Sequence, residues 1–296
     1  VTNLNKNNKF IAMMLTYHLQ SDQSVSDFAT ILAAQPMTMV DTGVEITGDI
    51  GDLIKTDGSA ISDDLKTVLD VQDRIGVKVD DSVDSAEKVK GLNQIKKNQH
   101  DTDSKATLTA SVSIDAAAAA QFNVASGYFD SENDLTITVS DQLEVDVFSK
   151  LDSLSSNNVT LTTGIKDDLT NIVDSNGRLA GFKAADTQNS GVKVEIKDAV
   201  DSSTKYALLN KLASEAGGAI TASVSGTASA LVTADLGNIN SSTDTINFSV
   251  SGDATAAQLS TLSGKTKAAD ISLGGNITGT DVFQFMKDAG TFDTKT

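Results

Sequence analysis

The sequence predicts an α/β fold, a one-sided parallel β/α solenoid of about nine degenerate repeats behind an N-terminal helical cap. Three observations predict it. Segments with apolar and polar residues in strict alternation recur along the chain, the mark of a half-buried strand. Between them lie segments with apolar residues at i, i+3 and i+4, the mark of a helix packed on one side. Each strand has one apolar face only: Leu135, Ile137 and Val139 against Thr136, Thr138 and Ser140, or Ile246, Phe248 and Val250 against Asn247, Ser249 and Ser251. A strand covered on both faces would read as a continuous apolar run, so helices are expected on one side of the sheet.

Residues 1–42 read as the helical cap. Phe10, Ile11, Met14, Leu15 and His18 fall at helical spacing, and Ser26 and Asp27 are placed to cap a second helix through Phe28, Ile31 and Leu32. Pro36, the only proline, ends it. Residues 43–280 carry the repeats. The predicted strands are Val44–Thr47, Ile75–Val79, Thr107–Ile114, Leu135–Val139, Val159–Thr162, Val192–Ile196, Ile220–Val224, Ile246–Val250 and Ile271–Leu273. Successive strands start roughly 24 to 33 residues apart, so the pattern reads as a degenerate repeat and not a tandem duplication.

The helical stripes are Leu65, Val68 and Leu69; Val89, Leu92 and Ile95; and Val147, Phe148, Leu151 and Leu154. They continue with Leu169, Ile172 and Val173; Leu208, Leu209 and Leu212; and Leu259 and Leu262. Ser62, Ser85, Asp115 and Asp253 stand where N-caps belong, since a side-chain oxygen there meets amides the first turn leaves free. A strand followed by a helix, many times over, implies parallel strands. Residues 281–296 read as a C-terminal cap or docking segment, with Phe283, Phe285 and Met286 clustered. The competing arrangement is two ordinary α/β domains divided at the polar stretch 98–106.

Composition narrows the function classes. The 296 residues carry 40 acidic and 23 basic side chains, a net charge of −17, which argues against a nucleic-acid partner. With no Cys there is no disulfide framework and no thiolate site. His18 and His100 are the only histidines; the first reads as a helix residue and the second as a solvated linker residue. No nucleophile elbow, Walker loop or dinucleotide fingerprint is present. The Asp63–Asp64, Asp80–Asp81 and Asp167–Asp168 pairs sit in turns and first helical turns, where acids suit the helix dipole. No stretch is long and apolar enough to span a bilayer. No catalytic residue and no cofactor are expected, calcium being the one candidate ion. Asp130, Glu132 and Asp134 alternate, and Asp174 and Asn176 precede a glycine as in half of a calcium loop, without the bidentate Glu that completes one.

The most informative constellation is the polar strand face. Thr109, Ser111, Thr136, Thr138, Thr160, Thr162, Thr221, Ser223 and Ser249 should share one surface in a solenoid. A solvated face, packing against another copy, and glycan contact are the readings open to it. Lys193 and Glu195 interrupt the array and weigh against an ice-binding lattice. Asn158, Asn240, Asn247 and Asn276 match the N-glycosylation pattern.

At the units ITASVSGTASALVTADL (220–236) and FSVSGDATAAQLSTLSGKT (248–266) the chain resembles the very long repetitive surface proteins of marine picocyanobacteria, including those of the swimming-motility and cell-surface-layer kind. The resemblance covers residues 43–285, with 43–130 and 163–190 departing from the neat unit, and similar modules occur in large phage structural proteins. It implies an extracellular, non-enzymatic structural role and carries over no catalytic residues. The expectation is a self-assembling filament, surface layer or fibre, that is, a homo-oligomer or polymer. The alternative is a glycan-binding adhesin or phage fibre module.

Overall fold

The structure, a computed structural model, describes residues 22–34, 45–71, 75–101, 107–122, 128–129, 132–265 and 270–279. It is a mixed α/β protein with two main parallel sheets and no closed barrel. The chain divides into two compact units, Val1–Ser140 with Lys150–Thr160, and Asp141–Ser149 with Leu161–Thr296.

In the first unit the strands β1 (Gln23–Ser24), β2 (Glu45–Gly48), β3 (Gly76–Val79), β4 (Leu108–Ile114), β5 (Asp134–Val139) and β6 (Val159–Leu161) lie side by side in chain order. From β1 to β5 each pair is parallel. Parallel neighbours need a return path, and helices supply it. These are α1 (Val25–Ala34), α2 (Ile50–Leu53), α3 (Asp63–Val71), α4 (Ala86–Asp101), α5 (Ala116–Ala119) and α6 (Val145–Asp152). The last of them begins in the second unit.

The second unit opens with β7 (Ile165–Asp167) and α7 (Leu169–Ile172), then a hairpin of β8 (Val173–Asp174) and β9 (Gly177–Arg178). There follow α8 (Ala180–Gln188), β10 (Val194–Ile196), α9 (Ser203–Glu215), β11 (Ile220–Thr227), α10 (Ala228–Thr233) and β12 (Thr245–Ser251). The described chain closes with β13 (Ala254–Thr255), α11 (Ala256–Ser263), β14 (Ile271–Leu273) and β15 (Ile277–Thr278). Its main sheet runs β7-β10-β11-β12-β14, parallel throughout, and β13 pairs β15 in parallel.

The alternation read from sequence is the alternation of burial. Along β4, Leu108, Ala110, Val112 and Ile114 are buried while Ser111 and Ser113 are exposed. Along β12, Ile246, Phe248 and Val250 are buried while Ser249 and Ser251 are exposed. The helices bury the matching stripes: Leu65, Val68 and Leu69; Val89, Leu92 and Ile95; Leu209 and Leu212; Leu259 and Leu262. All nine predicted strands are present, most within a residue or two of the expected bounds.

Several expectations are corrected. The stretch 98–101 is the end of α4, so His100 lies in a helix and not in a linker. The division of the chain falls near residues 140 and 160, not at 98–106. Helix α1 starts at Val25, and the Asp27 N–H donates to Ser24 Oγ (3.2 Å), which makes Ser24 the cap in place of Ser26 and Asp27. Helix α11 is capped by Thr255, with Gln258 completing a capping box; Asp253 instead accepts from the Asn276 amide. The 169–173 stripe makes one helical turn, and Val173 then enters the β8–β9 hairpin. Phe10–His18, Pro36, Phe283, Phe285 and Met286 lie outside the described residues.

The largest correction concerns the repeat. The strand-to-strand spacing is irregular, yet over a longer span the order of elements repeats. Elements β2, α2, α3, β3, α4, β4, α5, β5, α6 and β6 recur in the same order as β7, α7, α8, β10, α9, β11, α10, β12, α11 and β14. An isolated antiparallel bridge, Ile54↔Ile61, stands where the second unit has the β8–β9 hairpin. The sequence follows: TASVS is identical at 109–113 and 221–225, and DSVDSAEK (81–88) matches DAVDSSTK (198–205). After β3 the chain bulges and returns so that Val83 pairs with Val112; after β10 Val200 pairs with Val224 in the same way. The chain therefore contains a tandem duplication, with shifts of a few residues between its blocks.

Candidate functional site

The Thr and Ser residues expected on one polar face stand in two separate ladders, one in each unit. In the first unit, Lys78 stands beside Thr109 and Thr109 beside Asp134, Ser111 beside Thr136, and Ser113 beside Thr138. In the second, Glu195 stands beside Thr221 and Thr221 beside Thr245, Ser223 beside Asn247, and Ser225 beside Ser249. Ser249 in turn stands beside Ser272. Adjacent rungs are about 4.8 Å apart across strands. Ser111, Thr136, Thr160, Thr162, Thr221, Ser223 and Ser249 are exposed; Thr109 and Thr138 are half-buried. Thr162 falls just past β6, outside the ladder.

Charged residues also enter this face. Lys166 Nζ lies 2.7 Å from Glu195 Oε1, and the hydrogen bond from Lys166 is the main cause that holds the Glu195 carboxyl below its ordinary value. Thr109 Oγ1 donates to Glu45 Oε1 (2.5 Å). Lys193, which also interrupts the array, is exposed.

The calcium candidates do not converge. Asp130 lies outside the described residues, and Glu132 is exposed. Asp134 accepts from the Asn157 amide. Asp174 closes the β8–β9 turn: its Oδ1 accepts from the Asn176 N–H (2.7 Å) and the Gly177 N–H (3.1 Å). That is the local bond by which Asp favours a turn. Among the described residues no three acids or histidines come together at a metal-binding distance.

Sequence reasoning missed the principal work of the acids. The Ile50 N–H, at the start of α2, donates to Asp81 Oδ1 (2.7 Å), and Lys88 Nζ lies 2.9 Å from Asp81 Oδ2. In the second unit the Leu169 N–H, at the start of α7, donates to Asp198 Oδ1 (2.7 Å), and Lys205 Nζ lies 2.9 Å from Asp198 Oδ2. Each lysine also donates to the backbone carbonyl of the residue after its aspartate, Ser82 or Ala199. Burial opposes the charge on both aspartates, but in Asp81 the Lys88 ammonium and the Ile50 amide outweigh it. In Asp198 the Leu169 amide and the Lys205 ammonium do the same, so both carboxyls are held below their ordinary value.

The same device recurs at other rungs. The Leu108 N–H donates to Asn133 Oδ1 (3.3 Å), and the Ile220 N–H donates to Asp244 Oδ1 (2.9 Å). Asp167, 4% exposed, accepts from the Val145 N–H, the Asp168 N–H and the Asn171 side-chain amide. It lines a cleft of about 670 Å³ together with Glu144, Asp146 and Ser149. With both carboxylate oxygens engaged by N–H donors, Asp167 orders the wall of that cleft. These side chains, four acids and Asn133, thus close strand and helix starts 22 to 31 residues away in sequence. The matching DxVDSxxK segments were the signal that could have exposed the Asp–Lys pair.

No helix among the described residues is long and apolar enough to cross a membrane. No protein-family model, no curated protein and no solved structure matches the chain.

Proposed function

We propose that this chain is an extracellular structural protein, not an enzyme, that self-assembles into a filament, surface layer or fibre. In this reading it is a one-sided β/α solenoid of about nine degenerate repeats. The observation that carries it is the strand order: in each main sheet the strands follow the chain order, and the acids bond one repeat to the next. The unit-level resemblance to picocyanobacterial surface proteins supports the same role and location.

Light scattering over a concentration series, with and without calcium, tests the proposal. The expected result is a mass that grows with concentration. A monomer at every concentration and calcium level overturns it.

The exposed Ser and Thr rows favour a second reading, a glycan-binding adhesin or phage fibre module. A glycan array separates the two. The adhesin reading expects a signal that Thr136→Lys or Ser223→Lys removes, and the scaffold reading expects none.

A further inference from the structure

The duplication lets equivalent positions be compared within one chain. Ile46, Ile165 and Ile277 occupy the same place: each pairs in parallel with a residue just before a helix, Gln23, Leu143 and Ala254 respectively. Ile46 and Ile165 are fully buried (0% exposed), whereas Ile277 is half-exposed. The strand before it repeats the contrast, since Val159 on β6 is 1% exposed and its counterpart Ile271 on β14 is half-exposed.

What lies on the far side of the first two is another parallel strand. Strand β3 pairs with β2 at Ile46↔Val77, and β10 pairs with β7 at Ile165↔Val194. Among the described residues no strand lies beyond β14 and β15 on that side. The segment Ile271–Thr278 (ISLGGNIT) contains no charge and no proline, the features that keep edge strands from pairing.

We infer that the β14–β15 edge is an interaction surface for a second copy of this chain, which adds a parallel strand there through its own β1 edge. The inference rests on the self-assembly reading and names its contact. A second copy is the occupant because β2 and β7, the counterparts of β15, each carry a further parallel strand of this same chain on that side, and β1 is the edge strand at the other end of the first sheet. Head-to-tail addition keeps the strands parallel, as they are throughout both main sheets, and leaves a fresh edge for the next copy. A two-fold pairing of two β14 edges would instead be antiparallel.

The cysteine-free chain makes the test direct. Ser272→Cys and Gln23→Cys are combined in one chain and treated with a short bismaleimide, which tolerates a shift in register. The expected result is a ladder of cross-linked multimers that neither single variant gives. Dimers from Ser272→Cys alone, or an equal ladder from a control pair on the sheet face (Ser111→Cys with Ser223→Cys), overturn it. In parallel, Leu273→Lys should remove assembly while the circular dichroism spectrum is retained. If the unmodified chain assembles and Leu273→Lys assembles equally, the edge is refuted and self-assembly stands. If the unmodified chain never assembles, both fail.

Discussion

Asp81 and Asp198 show how single residues hold this fold. Each carboxylate meets a helix-start amide that has no partner within its own helix, so removing it leaves a part-buried donor unsatisfied. Asp81→Ala is expected to cost about 1–2 kcal/mol in urea unfolding, and Asp81→Asn less, because the amide oxygen still accepts from Ile50. The two carboxyls also set an acid limit. Their folded values lie below the ordinary 3.8, so they add stability at pH above that value. That contribution is lost as the pH falls below 3.8 through the depressed folded values. Urea midpoints measured from neutral pH into that range should fall less steeply in the Asp81→Asn, Asp198→Asn double variant than in the parent. Equal slopes would assign the acid sensitivity to other groups.

These roles were not legible in the sequence, and the reason is distance. A cap such as Ser62 or Asp115 serves an amide three residues on, so its pattern is local and the sequence shows it. Asp81 serves an amide 31 residues back, which depends on the fold.

At the scale of elements, the strands were readable because burial on one face writes a period of two into the sequence. Short strands escaped: β1, β8, β9, β13 and β15 have two residues each, too few for any alternation, and β7 starts only four residues after β6 ends, too close to read as a separate strand. The hairpin after α7 was concealed because Leu169, Ile172 and Val173 match helical spacing while Gly177, with φ of +130°, turns the chain. Two element-level outcomes follow. Thr255→Ala removes the capping box of α11 and should cost about 1 kcal/mol, with Gln258→Ala adding little to it in a double-mutant cycle. Gly164, between β6 and β7, has φ of +117°, and a Cβ there would sit 2.3 Å from the Lys193 carbonyl oxygen. Gly164→Ala should therefore cost about 2 kcal/mol or more by forcing β7 and β10 apart. A neutral effect in thermal or urea unfolding would show that this contact is not held in solution.

For the whole molecule, the sequence conveyed a parallel α/β fold and hid the duplication within it. Blocks of the second copy are displaced by different lengths: β4 and β11 start 112 residues apart, α6 and α11 start 111 apart, and DSVDSAEK and DAVDSSTK start 117 apart. No single offset aligns them, and TASVS is too short to stand out among many Ser, Thr and Val residues. The structure aligns the blocks because register depends on pairing and not on chain length. It also gives part of the net charge of −17 a definite use, since several acids accept from helix-start and strand-start amides far away in sequence. Electron microscopy of the purified chain at increasing concentration tests the proposed scaffold role. The expected images show extended or layered assemblies with a repeating subunit, shortened or lost in Leu273→Lys. Isolated particles of single-chain mass at every concentration would contradict it.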